Sequence, residues 1–170
     1  MPAGLSIGKV MLAPETQNAL LEDLATIFKS NATDRSQQAL EKILVAYDCV
    51  VGTLHFLDKD SQLLRLAAQR GLPPPVLEKV QTITVGKGMA GIAAERMKPV
   101  QVCNLQTDDS GVARPTAKET LMEGCISVPM LVEGKLRGVF GVAKPHAYEF
   151  DDDEIAFLLR LGEFLARQAA

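Results

Sequence analysis

Apolar residues recur at helical spacing near both ends of the chain. Between residues 15 and 47, apolar side chains such as Leu24 and Phe28 share one helix face, and a polar break at 30–33 precedes a second helix. Residues 152–169 repeat this pattern, and their acidic start suits the positive end of a helix dipole. The pattern therefore predicts helices at both ends of the chain.

The middle of the chain has β-branched and apolar runs separated by short turns, which is typical of strands. The predicted strands are 50–57, 62–69, 82–85, 100–103, 125–132 and 136–143. Tight turns join the first two and the last two strands, so the sheet should be mainly antiparallel, with the helices covering it in an α+β arrangement. The long polar connection at 104–124 is of a length usually found in functional or mobile loops.

The length of 170 residues favours a single domain. We expect a flexible start at residues 1–14 and one domain at 15–170. Within that domain, the N-terminal helices occupy 15–47, the sheet and its pocket 50–143, and the C-terminal helix 152–169.

The composition and charge of the chain disfavour several classes of function. Hydrophobic residues make up 47% of the chain and charged residues 23%, with a net charge of −3 and no basic stripe, which disfavours nucleic-acid binding. No apolar run is long enough for a membrane span, and the first residues lack the pattern of a secretory signal. Three widely spaced cysteines fit a reducing compartment. The sequence thus predicts a cytoplasmic protein.

The segment from Gly86 to Gly91 matches the glycine pattern of a dinucleotide-binding turn, G-x-G-x-x-G. The following helix is short, however, and no parallel strand ending in an acidic residue follows about twenty residues later. We therefore interpret these glycines as a tight turn from strand to helix.

The two histidines, His55 and His146, lack neighbouring carboxylates at metal-ligand spacing, so neither a metal site nor a histidine-based triad is expected. We expect His55 to line a cavity or to bond a backbone carbonyl. Cys103 and Cys125 flank the polar connection and are interpreted as small buried hydrophobes. The alternative is a reactive thiolate at the mouth of a cavity.

The last helix carries more apolar surface than one sheet contact needs. Its expected sheet-facing residues are Ile155, Leu158, Leu159 and Leu165. Phe157, Leu161 and Phe164 would then lie on the opposite side, and Gly162 would allow close approach of another helix. This excess favours a homodimer through the terminal helices over a purely internal core.

From about Val50 to Ala169 the chain resembles a GAF domain, a small-molecule sensor module related to PAS domains. The resemblance rests on 85–93, on Lys98-Pro99-Val100-Gln101-Val102, and on 127–130 with Gly138-Val139-Phe140-Gly141-Val142. It implies a twisted, six-stranded antiparallel sheet with terminal helices on one face and a ligand pocket on the other.

Specialised members of this family can be compared with the chain residue by residue. The resemblance places catalytic cysteines of free methionine-R-sulfoxide reductases at Ala90 and near Lys118. It places their acidic residues at Cys125, Gly141 and Ala143. Reductase activity is therefore not expected.

Members that bind cyclic nucleotides share Lys144, Phe150, Asp153 and Glu154 with this chain but have asparagine where it has Ala143. This partial match predicts an ion pair between Lys144 and Asp153 or Asp152. It does not specify a cyclic nucleotide. We find no cysteine and histidine arrangement for a bilin.

These observations predict a sensor or regulatory domain without catalysis, whose ligand the sequence does not identify. Two alternatives are a cysteine-dependent reductase using Cys103 or Cys125 and a ligand-free dimerisation module. Alternation along the strand places Cys125 and Ser127 on one face, and we expect this to be the face that lines the cavity. The expected ligand-binding residues are His55, Thr116, Cys125, Ser127 and Gly141.

Overall fold

The computed structural model describes residues 12–168. Its strands are β1 (Val51–Leu57), β2 (Leu63–Arg70), β3 (Thr82–Thr84), β4 (Val100–Val102), β5 (Cys125–Val132) and β6 (Lys135–Ala143). Its α-helices are α1 (Pro14–Lys29), α2 (Arg35–Ala46), α3 (Pro74–Lys79), α4 (Gly88–Arg96) and α5 (Asp152–Gln168), and a 3₁₀ helix spans Pro115–Thr120. The flexible start predicted at 1–14 lies mainly outside the described residues, as does the predicted helix end at Ala169.

The six strands form one antiparallel sheet in the order β3-β2-β1-β6-β5-β4. Both predicted hairpins are present, as β1–β2 and β5–β6. The hairpins join side by side through β1 and β6, where Val51 pairs with Ala143. The predicted α+β class and antiparallel, six-stranded sheet are confirmed.

The terminal helices α1, α2 and α5 cover one face of the sheet. The helix α5 packs on β5 and β6, α2 packs on β1 and β2, and α1 packs on the other two helices. Leu24, Leu54, Phe140 and Leu158 are all 0% exposed in the core between these layers. Burial of each such side chain contributes roughly 1.5–3 kcal/mol, so this face supplies much of the folding energy.

The orientation of α5 corrects the predicted faces of this helix. Phe157 and Leu161 are buried in the core, whereas Ile155, Leu159 and Phe164 are half-buried at its margin. Phe164 packs on Phe28 of α1, with ring centroids 6.2 Å apart.

Gly162 explains this orientation. A Cβ at Gly162 would lie 3.1 Å from the carbonyl oxygen of Pro129 in β5, so the glycine allows close approach to the sheet rather than to another helix. Phe157 and Leu161 therefore cannot form the expected dimer contact. The homodimer itself stays a prediction.

A buried lysine links the end of β6 to the terminal helices. Lys144 is 1% exposed, donates to the carbonyl oxygens of Tyr47 and Asp48 after α2, and lies 4.6 Å from the centre of the Tyr148 ring. The predicted ion pair with Asp152 or Asp153 is wrong, because those carboxylates are exposed while the ammonium group points inward.

Hydrogen bonds of Glu154, rather than an ion pair with Lys144, fix the acidic start of α5. Glu154 accepts hydrogen bonds from the Asp151 N–H at 3.0 Å and from the Tyr148 hydroxyl at 2.6 Å. The Asp151 carboxylate in turn accepts the Glu154 N–H at 2.9 Å. This reciprocal pair is a capping box, which fixes where α5 begins.

The opposite face of the sheet is covered by α3, α4 and the 3₁₀ helix. The chain enters α4 through Gly86 and Gly88, whose positive φ angles of 94° and 69° favour glycine. Gly91 is needed for a different reason, because a Cβ there would lie 2.4 Å from the carbonyl oxygen of Thr84. The glycine pattern thus forms a tight turn from β3 into α4, as interpreted from the sequence.

Candidate ligand cavity

A cavity of about 170 Å³ lies between the sheet and the short elements on its second face. Its floor comes from three neighbouring strands, β1, β6 and β5. Its walls come from α3, the start of α4, and the segment 105–120 that contains the 3₁₀ helix. The floor is therefore built on the central strands of the sheet, whereas the cover consists of short segments.

All five residues expected to bind a ligand line this one cavity. His55 comes from β1, Gly141 from β6, Cys125 and Ser127 from β5, and Thr116 from the 3₁₀ helix. The shared strand face expected for Cys125 and Ser127 agrees with this geometry. Their contact with a bound molecule stays a prediction.

Two hydroxyl groups flank Gly141 on the cavity floor. A Cβ at Gly141 would lie 3.3 Å from Thr53 Oγ1 and 3.6 Å from Ser127 Oγ. Ser127 is 7% exposed and lines the cavity, and its hydroxyl forms no hydrogen bond within residues 12–168. The floor therefore presents a hydroxyl group that a polar ligand atom can bond.

His55 borders the cavity in a fixed tautomer. Its Nε2 lies 2.8 Å from the Val80 carbonyl oxygen and therefore carries the proton. Burial lowers the pKa of the imidazole, although the bond to Val80 opposes that change. The ring is thus neutral, and its Nδ1 is a buried acceptor without a partner in the part of the chain described.

The cysteines differ sharply in exposure. Cys125 is buried with its Sγ 3.4 Å from Met89 Sδ, and burial, reinforced by Asp108, raises the pKa of this thiol to about 12. Cys49 is buried between the sheet and the terminal helices, where burial raises its pKa to about 12. Cys103 is exposed, so the prediction that it is a buried hydrophobe is wrong. The cysteine in the cavity is a protonated, poorly nucleophilic thiol near neutral pH.

Sequence reasoning missed the basic residues that border the cavity. Lys79 is the last residue of α3, Lys87 precedes α4, and Arg114 precedes the 3₁₀ helix. All three are exposed and resemble ordinary surface charges when taken singly. Only the folded arrangement shows that three separate segments bring them to one opening.

A metal site and a membrane-spanning helix are two further possibilities, and the described residues support neither. Within 12–168 no group of three or more histidine, cysteine or acidic side chains is arranged to hold a metal ion. In the same part of the chain, no helix combines the length and apolar character needed to cross a membrane.

The sheet order, the helices on one face and the cavity on the other together define a sensor-type α+β module. Residues 30–167 match the family model of the GAF domain. The chain belongs to the GAF domain family.

Solved structures share this fold. The GAF domain of an Acinetobacter phosphoenolpyruvate-protein phosphotransferase is 21% identical, with a TM-score of 0.74 over 92% of this chain and 93% of that chain. The corresponding domain from Coxiella burnetii is 22% identical, with a TM-score of 0.71 over 90% and 92%.

A free methionine-R-sulfoxide reductase from Neisseria meningitidis, solved with its substrate, is 18% identical, with a TM-score of 0.71 over 91% of this chain and 88% of that chain. At these identities the similarities establish the fold alone. None of the curated proteins compared with the chain matches it.

Proposed function

We propose that this GAF domain is a regulatory sensor that binds a small molecule in the cavity between the sheet and the short elements. The observation that carries the proposal is the Ser127 hydroxyl, which lies on the cavity floor without a hydrogen-bond partner in the described part of the chain, 12–168. A polar ligand atom would satisfy this group and would make binding selective, because an apolar molecule of the same shape leaves it unpaired.

The construction of the cavity supports a regulatory role. A ligand would contact both the central strands and the segment that contains the 3₁₀ helix. Ligand contacts would stabilise the closed position of that segment relative to open ones, which is the differential interaction that a switch requires. The floor strands β5 and β6 also carry α5 on their other face, so a displacement of the floor would reach the terminal helices.

The chemistry of the cavity supports binding rather than catalysis. Its cysteine is protonated near neutral pH, and Gly141 and Ala143 offer no group that transfers a proton. Ala90 and Lys118 stand where the family resemblance places reductase cysteines. We therefore expect no catalytic reduction of free methionine sulfoxide, and sustained turnover by the purified chain would contradict the proposed absence of catalysis.

Native mass spectrometry tests ligand binding directly. The purified chain is incubated with the small-molecule fraction of a cell extract, and the spectra are searched for a non-covalent adduct. Gly141→Val places two methyl groups between the floor hydroxyls and should abolish the adduct. Ala67→Val, at an exposed position of β2, is the matched control and should retain it.

Two results would contradict the proposal. One is the lack of any adduct on the unaltered chain. The other is an adduct whose intensity is the same on Gly141→Val, since the bound molecule would then lie outside the cavity. Circular dichroism establishes that the valine variant is folded.

A further inference from the structure

The amino-terminal end of α4 forms part of the cavity wall. Gly88, Met89 and Ala90 are the first residues of this helix, and all three line the cavity. Their N–H groups precede the first acceptors within the helix, no side chain caps them, and the first turn has no acidic residue. Free N–H donors and the positive end of a helix dipole thus meet at the cavity.

The basic residues at the opening add to this positive character. Lys79, Lys87 and Arg114 form no ion pair among residues 12–168. The aliphatic part of Arg114 lies over the start of α4, because a Cβ on Gly88 would be 3.4 Å from Arg114 Cγ.

No aspartate or glutamate lines the cavity. Two acidic residues lie near it, since the Glu95 carboxylate is beside Gly86, one residue before Lys87, and Asp108 acts on Cys125. The opening therefore favours an anion, whereas an ammonium group would meet three like charges.

An independent observation shows where the rest of a ligand would lie. Ser127, 7% exposed and without a partner in the described structure, points from the floor into the same cavity. Around it the lining is mostly aliphatic, with residues such as Val51, Leu72 and Leu105. A ligand with its charge at α4 would thus have an apolar body with room for one polar contact at the floor.

The volume limits the size of that body. A cavity of roughly 150 Å³ holds one benzene molecule, and this cavity measures about 170 Å³. A nucleotide is several times larger than benzene and exceeds this space. A carboxylate is a compact organic anion whose two oxygens can accept hydrogen bonds from N–H donors and a guanidinium group together.

We propose that the cavity takes a small carboxylate, with its anionic group at the amino-terminal end of α4 beside Lys87 and Arg114 and its compact apolar body on the sheet. This inference rests on the proposed ligand-binding function and names the chemical class of the ligand. It assigns Lys87 and Arg114 to charge recognition and Ser127 to the far end of the bound molecule.

Matched probes of equal shape test the charge. Binding of benzoate and benzamide, and of hexanoate and hexanamide, is measured by chemical shift changes in NMR spectra at constant ionic strength. We expect at least one carboxylate to bind roughly tenfold more tightly than its neutral amide. The double variant Lys87→Gln/Arg114→Gln should remove most of this difference and leave amide binding unchanged. Lys42→Gln, on the exposed side of α2, is the control and should change neither.

The outcomes separate the two proposals. Equal binding of a carboxylate and its amide, both lost in Gly141→Val, would overturn the charge assignment and keep the sensor function. Carboxylate binding that survives both the double variant and Gly141→Val would also overturn it, because the site would lie elsewhere. If no probe binds while an extract adduct depends on Gly141, the carboxylate class fails alone. If neither probe nor adduct binds, both proposals fail.

Discussion

The two faces of the sheet are made from the same strands but are closed in opposite ways. On one face, long helices bury side chains such as Leu161 and Phe140 completely. On the other, short elements leave a cavity bordered by the buried Ser127 and His55. Strand alternation separates the two tasks, because neighbouring residues of β6 such as Phe140 and Gly141 serve different faces. The close packing of the first face stabilises the chain and so allows the second face to remain incompletely filled.

A pair of leucine substitutions tests this difference most strongly. Leu161→Ala, at a site 0% exposed between α5 and the sheet, should lower the free energy of unfolding by about 2–5 kcal/mol. Leu105→Ala removes an equally large side chain from the cavity wall, where it is 3% exposed, and should cost less than half as much. The new space there joins an existing cavity that water can enter. Urea denaturation of both variants provides the measurement, and equal losses would refute the contrast.

A second pair of substitutions tests whether the buried Lys144 stabilises the helix-covered face of the sheet. Lys144→Met keeps the length of the side chain but removes the donor to the Tyr47 and Asp48 carbonyl oxygens. We expect a loss of about 1–3 kcal/mol in unfolding free energy from the unpaired acceptors. Lys135→Met, at the exposed start of the same strand, should change stability by less than about 0.5 kcal/mol. If Lys144→Met unfolds at the same urea concentration as the unaltered chain, the lysine is not a structural link.

The sequence did not predict which groups Lys144 contacts. The partial match to family members that bind cyclic nucleotides predicts an ion pair between Lys144 and Asp152 or Asp153. In the structure, Lys144 instead donates to backbone carbonyl groups that follow α2 and lie far from it in sequence. A pattern of charges does not reveal that these carbonyl groups need a donor.

The face of α5 was predicted incorrectly for a related reason. Gly162 was expected to allow the approach of another helix, yet its close approach to Pro129 decides which side of α5 meets the sheet. In contrast, period-two alternation suffices for Cys125 and Ser127, because the backbone of a strand fixes which face each residue occupies. The cavity floor was therefore predictable, whereas the basic opening, assembled from three separate segments, was not.

The smallest effect expected is a pH dependence from the cavity face. Burial lowers the pKa of His55 in the folded chain, so below about pH 6.5 the unfolded chain binds more protons. Stability should therefore be complete above that pH and fall as the pH is lowered toward the folded-state pKa, by at most about 1.4 kcal/mol per pH unit.

Urea titrations at several pH values compare the unaltered chain with His55→Gln. The substitution should flatten this part of the curve, and the two slopes should agree above about pH 7.5. An unchanged slope below pH 6.5 would show that the buried imidazole does not govern the acid response.

The joining of the two hairpins through β1 and β6 has a consequence for the order in which the chain acquires its structure. Val51 and Ala143 pair although most of the sheet lies between them in sequence. Contacts of such long range close a large loop and form slowly compared with the hairpins themselves. During synthesis, β6 leaves the ribosome after every other strand, so the floor beside Gly141 is completed last. Until then β1 has an unpaired edge that a chaperone or a second nascent chain could occupy.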